Sequence, residues 1–468
     1  MSKRKRREGE KRAGPGRALA QAPAPVRGRQ RRLWILLGAA AVAATVLALT
    51  RFFPRGQPRL GLSRAEEEAA RSHPLRAEAL DLAEQVIRDY PSDANALLAR
   101  GMVLYRHNLF APAVESWQVC LELDSQLGAA YWCLGRHAFE EGDYEKTLEL
   151  MRQALEYDPG TPEALLFIGK VQMHRGEMEE AIGTFRKYVQ QSPGSSEGHF
   201  RLGQAYFHLN RTQEAIDCYR ATLDIDPKSR NAYYGLSEAY RRLGQDEQAR
   251  QHQQKYLSIA AGVEQSAREM RVGRDDEAAM RQSLAYACAV VGKVYAGYRD
   301  LPKAEEVFRR GAEVCAPDKE CRELLAALYE RQGKLEAALV PLLQLAELEP
   351  GNVDRRLKCA MIFGRLNRLD EAEKSLRQAL EIAPGRPEVY AGLAQLFLQM
   401  GRDLPQARAW AEKAAQLQPT AVNYCVLGLA CDRTGDRAAA VAAMGRAVGL
   451  DPDNLQYRRL LQQFSQPR

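Results

Sequence analysis

Residues 196–229 read SEGHFRLGQAYFHLNRTQEAIDCYRATLDIDPKS, and this stretch is one copy of a unit that fills the chain. Its Gly203 is the fourth in a series with Gly101, Gly135 and Gly169, each thirty-four residues from the last, and Ser237 takes the next place. Twelve residues beyond each member stand Ala113, Thr147, Ala181, Ala215 and Ala249; twenty-four beyond stand Ser125, Pro159, Pro193, Pro227 and Ala261. A second series keeps the same internal spacing: Gly292/Ala304, Ala326/Ala338/Pro350, Ala360/Ala372/Pro384 and Gly428/Ala440/Pro452. The copy from 387 holds one extra residue near Gly401–Pro405. A period of this length marks stacked supersecondary units, each unable to bury its apolar face alone.

With Leu202-Gly203, Tyr206, Ala215, Tyr219 and Pro227 in one unit, and Tyr131, Leu134-Gly135, Ala154 and Pro159 in another, the pattern resembles the tetratricopeptide repeat family. The resemblance is strong over 94–468 and weaker over 60–93, where Ala79, Val86 and Pro91 fit a worn unit. It implies an all-α fold, a right-handed superhelical solenoid of helix–turn–helix units with a concave inner face. The small residue at the eighth position allows the two helices of a unit to approach closely. Large side chains at the fourth, eleventh and twenty-fourth positions fill the space between units. Proline, lacking an N–H and restricting the residue before it, ends the second helix. The interval from Ser237 to Gly292 is fifty-five, and the excess includes the charge-rich Glu264–Arg281. A helical spacer over 262–282 is expected between a first array, 61–261, and a second, 283–468. The last helix, with Leu460, Leu461 and Phe464, reads as a cap.

Charge is uneven. Residues 1–32 carry a net +10 and residues 33–59 a net +3; with +7 overall, the body from 60 onward is −6. Nucleic acid is disfavoured as a partner, because phosphate neutralisation requires a cationic body. Leu33–Thr50 is eighteen uncharged, mostly apolar residues, about 27 Å as a helix against a hydrocarbon core of about 30 Å. A transmembrane helix over 33–53 is expected, with Trp34 and Phe52/Phe53 at its ends and Arg32 and Arg51 able to reach the head groups. The basic tail 1–32, Pro- and Gly-bearing and expected to be disordered, stays on the cytoplasmic side, and 54–60 forms a stalk. The repeats are then extracytoplasmic, in the periplasm if the source is bacterial. A cleaved signal peptide is the alternative; Ala48-Leu49-Thr50 is a poor cleavage site.

Catalytic signals are weak. Gly194-Ser195-Ser196-Glu197-Gly198 matches G-x-S-x-G, but a nucleophile elbow follows a strand, and this match sits in an inter-repeat turn. Gly169-Lys170, Gly292-Lys293 and Gly333-Lys334 lack the upstream glycine of a P-loop, and no H-E-x-x-H or C-x-x-C occurs. His174 and His208, one period apart, lack a convincing third ligand. Neither cofactor nor metal is expected, and the chain reads as non-enzymatic. Cys315 and Cys321 flank a five-residue junction and allow a disulfide in an oxidising compartment; the other cysteines fall mostly at core positions. Asn210-Arg211-Thr212 is a glycosylation sequon by pattern.

In this family the second, fifth, ninth, twelfth and thirteenth positions of each first helix face the concave surface. The resemblance places there Leu98, Met102, Tyr105, Trp132, Arg136, Phe139, Leu166, Lys170, Met173, His174, Phe200, Gln204, Phe207, His208, Tyr234, Arg241 and Arg242. Aromatic and basic residues on a wetted wall mark a partner site. The corresponding wall of the second array, with Glu320, Glu323, Asp354, Glu388 and Asp432, is more acidic. The expected function is that of a membrane-anchored, non-enzymatic scaffold or adaptor binding a protein or peptide segment in the first groove. The alternative is an accessory or regulatory subunit that positions the substrate of a separate membrane or envelope enzyme.

Overall fold

The computed structural model describes residues 63, 68, 72–270 and 275–466, all within the compact unit Pro58–Arg468. The tail 1–32, the expected membrane helix 33–53 and the stalk 54–60 lie outside the described residues. Among the described residues, no helix is long and apolar enough to cross a membrane.

The described chain is all-helical and built from paired helices. α1 (Pro74–Asp89) is followed by first-array hairpins α2 (Ala94–Arg106) and α3 (Phe110–Leu123), α4 (Gly128–Glu140) and α5 (Tyr144–Tyr157), α6 (Glu163–His174) and α7 (Met178–Gln191), α8 (Ser196–His208) and α9 (Thr212–Ile225), and α10 (Arg230–Arg242) with the long α11 (Asp246–Met270). The second array runs through α12 (Asp275–Gly297) and α13 (Leu301–Val314), α14 (Glu320–Arg331) and α15 (Leu335–Leu348), α16 (Val353–Arg365) and α17 (Leu369–Ile382), α18 (Pro387–Met400) and α19 (Leu404–Leu417), and α20 (Ala421–Arg433) and α21 (Arg437–Leu450), and closes with α22 (Leu455–Ser465). Tyr457 and Phe464 of α22 bury themselves against the last hairpin.

The repeat chemistry is visible in each hairpin. The fifteenth residue of each unit adopts a left-handed conformation, supplied by Gly142, Gly176, Gly244, Gly333, Gly401 and Gly435 or by Asn108, Asn210 and Asn367; Arg299 does so without their freedom. The extra residue of the unit from 387 lies in this turn, where Gly401 and Asp403 are both left-handed. At the eighth position the second helix lies so close that a Cβ on Gly169 would stand 2.4 Å from Phe185, and one on Gly292 2.4 Å from Phe308. Those rings, with Trp117 and Tyr219 at the same place in their units, are among the most buried side chains in the molecule. Full burial of each contributes about 2–3 kcal/mol.

First helices of successive units touch one another, whereas second helices of neighbouring units have no contact of that extent. The first helices therefore form the inner, concave wall.

The expected helical spacer over 262–282 falls on the end of α11, which runs to Met270, and on the start of α12 at Asp275, with 271–274 outside the described residues. α12 packs along α1 and α2, at the opposite end of the first array from α10–α11, as well as on its own partner α13. Tyr295 donates to Asp89 (2.6 Å), Lys303 pairs with the same carboxylate (2.9 Å), and Tyr298 donates to Asp93. Tyr90 stacks on Tyr298 at 4.3 Å, and Arg310 grips Glu78 with two bonds of 2.6 and 2.8 Å. Lys303 and Arg310 set α13 antiparallel to α1, which leaves α12 parallel to α1, and the contacts of Tyr286 with Arg106 and of Tyr298 with Asp93 set α12 antiparallel to α2. Adjacent repeats pack differently: there a first helix runs antiparallel to the second helix beside it. The two arrays are thus joined head to head, sharing the core around Leu284, Ala285, Cys288 and Val291.

Candidate partner-binding groove

Every expected groove residue lies on a first helix: Leu98, Met102 and Tyr105 on α2; Trp132, Arg136 and Phe139 on α4; Leu166, Lys170, Met173 and His174 on α6; Phe200, Gln204, Phe207 and His208 on α8; Tyr234, Arg241 and Arg242 on α10. Their exposure divides them. Arg241, Arg242, His174 and His208 are exposed, and Tyr234 is 51% exposed. Leu98, Met102, Trp132, Arg136, Phe139, Lys170, Met173, Phe200, Gln204 and Phe207 are half-buried.

Tyr105 and Leu166 depart from the expectation, because both are buried. The Tyr105 ring is enclosed by Phe110, Trp117 and His137, and its hydroxyl donates to Glu140 of the next first helix. Burial and that carboxylate push the phenol well above its usual range. Tyr105 therefore forms part of the floor under Arg136, whose guanidinium lies 4.5 Å from the Tyr105 ring centre and 5.3 Å from that of Trp132.

Further along, Phe139 meets Phe167 edge-on (5.3 Å), and His174 stacks on Tyr144 (5.0 Å). Lys170 sits over Phe167 (4.9 Å) and pairs with Glu197 (2.7 Å). Phe200 and Met173 pack against the core cluster of α6–α10, and Gln204 accepts from Arg201. Arg242 lies 3.6 Å over Phe207 and donates to the Phe207 carbonyl and to Asn210; Arg241 pairs with Glu238. The wall is thus a row of half-exposed rings with guanidinium groups laid across them, a geometry suited to burying partner side chains.

The residues that sequence reasoning missed are Arg106, Phe167, Tyr144 and Tyr286. Arg106 holds the thirteenth position, as His174 and Arg242 do, and that register was the available signal. Its guanidinium lies 4.7 Å from the ring centre of Tyr286 on α12, so α12 covers the α2 end of the groove. Tyr286 holds the second, groove-facing position of the unit that contains Gly292, but nothing in the sequence sets that unit against α2.

The inner wall of the second array is ion-paired between successive units: Glu320 with Lys293 (2.6 Å), Glu323 with Arg355, and Asp354 with Arg386 (2.7 Å).

Cys315 and Cys321, the pair considered for a disulfide, stand as free, buried thiols in this structure. Cys321 instead turns its Sγ to the Ala285 carbonyl (3.2 Å) and fills the space left by Gly311. Burial raises both thiols. The G-x-S-x-G match lies between α7 and α8, where the Ser195 hydroxyl caps α8 through Gly198 and Ser196 opens the helix. Among the described residues, no cluster of three or more His, Cys, Asp or Glu side chains suits a metal ion.

Comparison with known proteins agrees with this architecture. Family models described as tetratricopeptide repeat match residues 68–119, 134–196, 196–229, 231–262, 329–396, 365–424 and 421–454. The chain belongs to the tetratricopeptide repeat family. Among curated proteins it is similar to cellulose synthase operon protein C of Pseudomonas fluorescens (strain SBW25), 27% identical over 133 residues, which is 27% of this chain and 10% of that protein. It is also similar to the human protein O-mannosyl-transferase TMTC1, 29% identical over 129 residues, 28% of this chain and 14% of the other. The matched region thus spans only a small part of either relative. Similar solved structures include YrrB, described as a TPR protein with an unusual peptide-binding site (20% identity, 38% of this chain, 91% of that chain, TM-score 0.34). Another is a thermophilic TPR protein, TTC0263 of Thermus thermophilus (18% identity, 38% and 98% coverage, TM-score 0.30).

Proposed function

We propose that this protein is a membrane-anchored scaffold that holds a segment of another protein in the groove of its first array. The observation that carries the reading is the row of half-exposed rings from Trp132 to Tyr234, crossed by arginines, on the inner wall. Repeats of this kind are interaction modules, and a preformed wall of rigid aromatics binds without first having to be ordered. On the inner wall of the second array, Glu320, Glu323 and Asp354 are already paired within that array, which favours the first groove as the site. Anchoring rests on the apolar stretch Leu33–Thr50 and its basic flank, with the repeats on the far side of the membrane from the tail.

Two measurements test this. The double variant Trp132→Ala/Phe207→Ala, in detergent-solubilised full chain, is expected to lose its partner while retaining its helical signal; unchanged partner capture would end the groove assignment. A reporter fused to the C-terminus is expected to be active only when it is an extracytoplasmic reporter; a cytoplasmic readout would reverse the topology.

A second reading, an accessory subunit of a membrane enzyme, draws on the match to a protein named for a cellulose synthase operon. A separate catalytic chain copurifying in fixed ratio would favour it.

A further inference from the structure

We infer that the partner segment seated in the first groove carries an aromatic side chain flanked by carboxylates. This rests on the groove reading above and concerns the chemistry of its occupant.

The first argument is that the wall's unmet hydrogen-bonding capacity is mostly donor. The Arg136 side chain is 31% exposed and its nearest carboxylate, Glu140, stands at 3.7 Å; its Nε and the Nε1 of Trp132 lack an acceptor but are enclosed within the wall. Arg242 lies over Phe207 and bonds only neutral oxygens, those of the Phe207 carbonyl and the Asn210 amide. The carboxylates on the wall are largely engaged from within. Glu140 accepts from Tyr105, Glu197 is bound by Lys170 and Arg201, and Glu238 by Arg241. Glu163, exposed at the start of α6, is the exception. A ligand that supplies acceptors and negative charge complements this wall, and one that supplies ammonium groups meets like charge.

The second argument is continuity with an interface the chain already makes. At the α2 end of the same groove, α12 offers the ring of Tyr286 to Arg106, within electrostatic reach of Arg136. An aromatic ring is what the second array presents to Arg106 in cis. The wall from Trp132 to Arg242 repeats that arrangement of guanidinium over ring, and a partner continues it in trans.

The test uses full-length protein in detergent and three short fluorescent peptides: alternating Glu and Phe, alternating Lys and Phe, and alternating Ser and Phe. The Glu/Phe peptide is expected to bind at least about tenfold more tightly than the Lys/Phe peptide at low salt, the gap narrowing as salt rises. Arg242→Glu should close most of that gap without affecting the helical signal. Equal binding of all three peptides, lost on Phe207→Ala, would overturn the acidic preference and leave the groove reading standing. Binding of none would overturn both.

Discussion

The edge of the Phe185 ring stands 2.4 Å from the point that a Cβ on Gly169 would occupy. The two residues come from the two helices of one hairpin, sixteen positions apart, and the ring is fully buried. A methyl group at position 169 must push the ring or part the helices, since the core has no slack. Gly169→Ala is expected to cost about 2–3 kcal/mol in chemical unfolding. Adding Phe185→Met should recover most of the loss, because the hairpin from 128 pairs Gly135 with the more yielding Met151. Full stability in Gly169→Ala alone would show the hairpin to be looser than described.

The head-to-head junction makes a different prediction. Because α13 grips α1 through Glu78–Arg310 and Asp89–Lys303, and α12 through Tyr295–Asp89, the two arrays should stay together after the chain is cut between α11 and α12. A protease site introduced there is expected to give two fragments that elute as one species. Separate elution would contradict the junction. Within the intact junction, a double-mutant cycle on Glu78 and Arg310 should give a coupling of about 0.5–1 kcal/mol, modest because both side chains remain partly exposed.

That junction also marks where the sequence stops being readable. The hairpins, their glycine–ring contacts and the left-handed turns repeat every thirty-four residues, so each unit testifies for the others. The groove register followed, and placed Trp132, Phe207 and Arg242 on one wall. Tyr105 escaped it because its burial depends on Phe110 and Glu140 of neighbouring helices, and nothing in the position itself distinguishes it from Phe139. The seat of α12 on α1 and α2 is a single event between segments about two hundred residues apart, fixed by Asp89, Tyr90, Tyr295 and Tyr298, and no repetition announces it.

His107 gives a pH dependence with a defined sign. Burial, reinforced by the charges of Arg76 and Arg106, lowers it to about 4 from its ordinary 6.5. The unfolded chain takes up this proton near pH 6.5 while the folded chain resists until about 4, so stability falls as pH drops through that window. The cost is about 2 kcal/mol between pH 7 and 5. His107→Leu should show a correspondingly flatter profile in urea unfolding at the two pH values. An unchanged slope would place the histidine in contact with water.

Arg299 holds the left-handed turn position that its counterparts fill with glycine or asparagine. Arg299→Gly is expected to stabilise the protein by about 0.5–1 kcal/mol, the relief of αL strain less the greater freedom of glycine in the unfolded chain. The readout is the denaturation midpoint. A lower midpoint would mean that the arginine side chain contributes a contact of greater worth.

The groove itself is tested most directly by photocrosslinking from chosen positions in the full-length protein. A photoreactive phenylalanine analogue at Phe207 or Tyr234, on the inner wall of the first array, is compared with one at Val340, exposed on α15 of the second. The account predicts that the partner is captured from 207 and 234 and not from 340, with the adduct mapping to a carboxylate-flanked aromatic segment. Capture from 340 with none from 207 or 234 would contradict it.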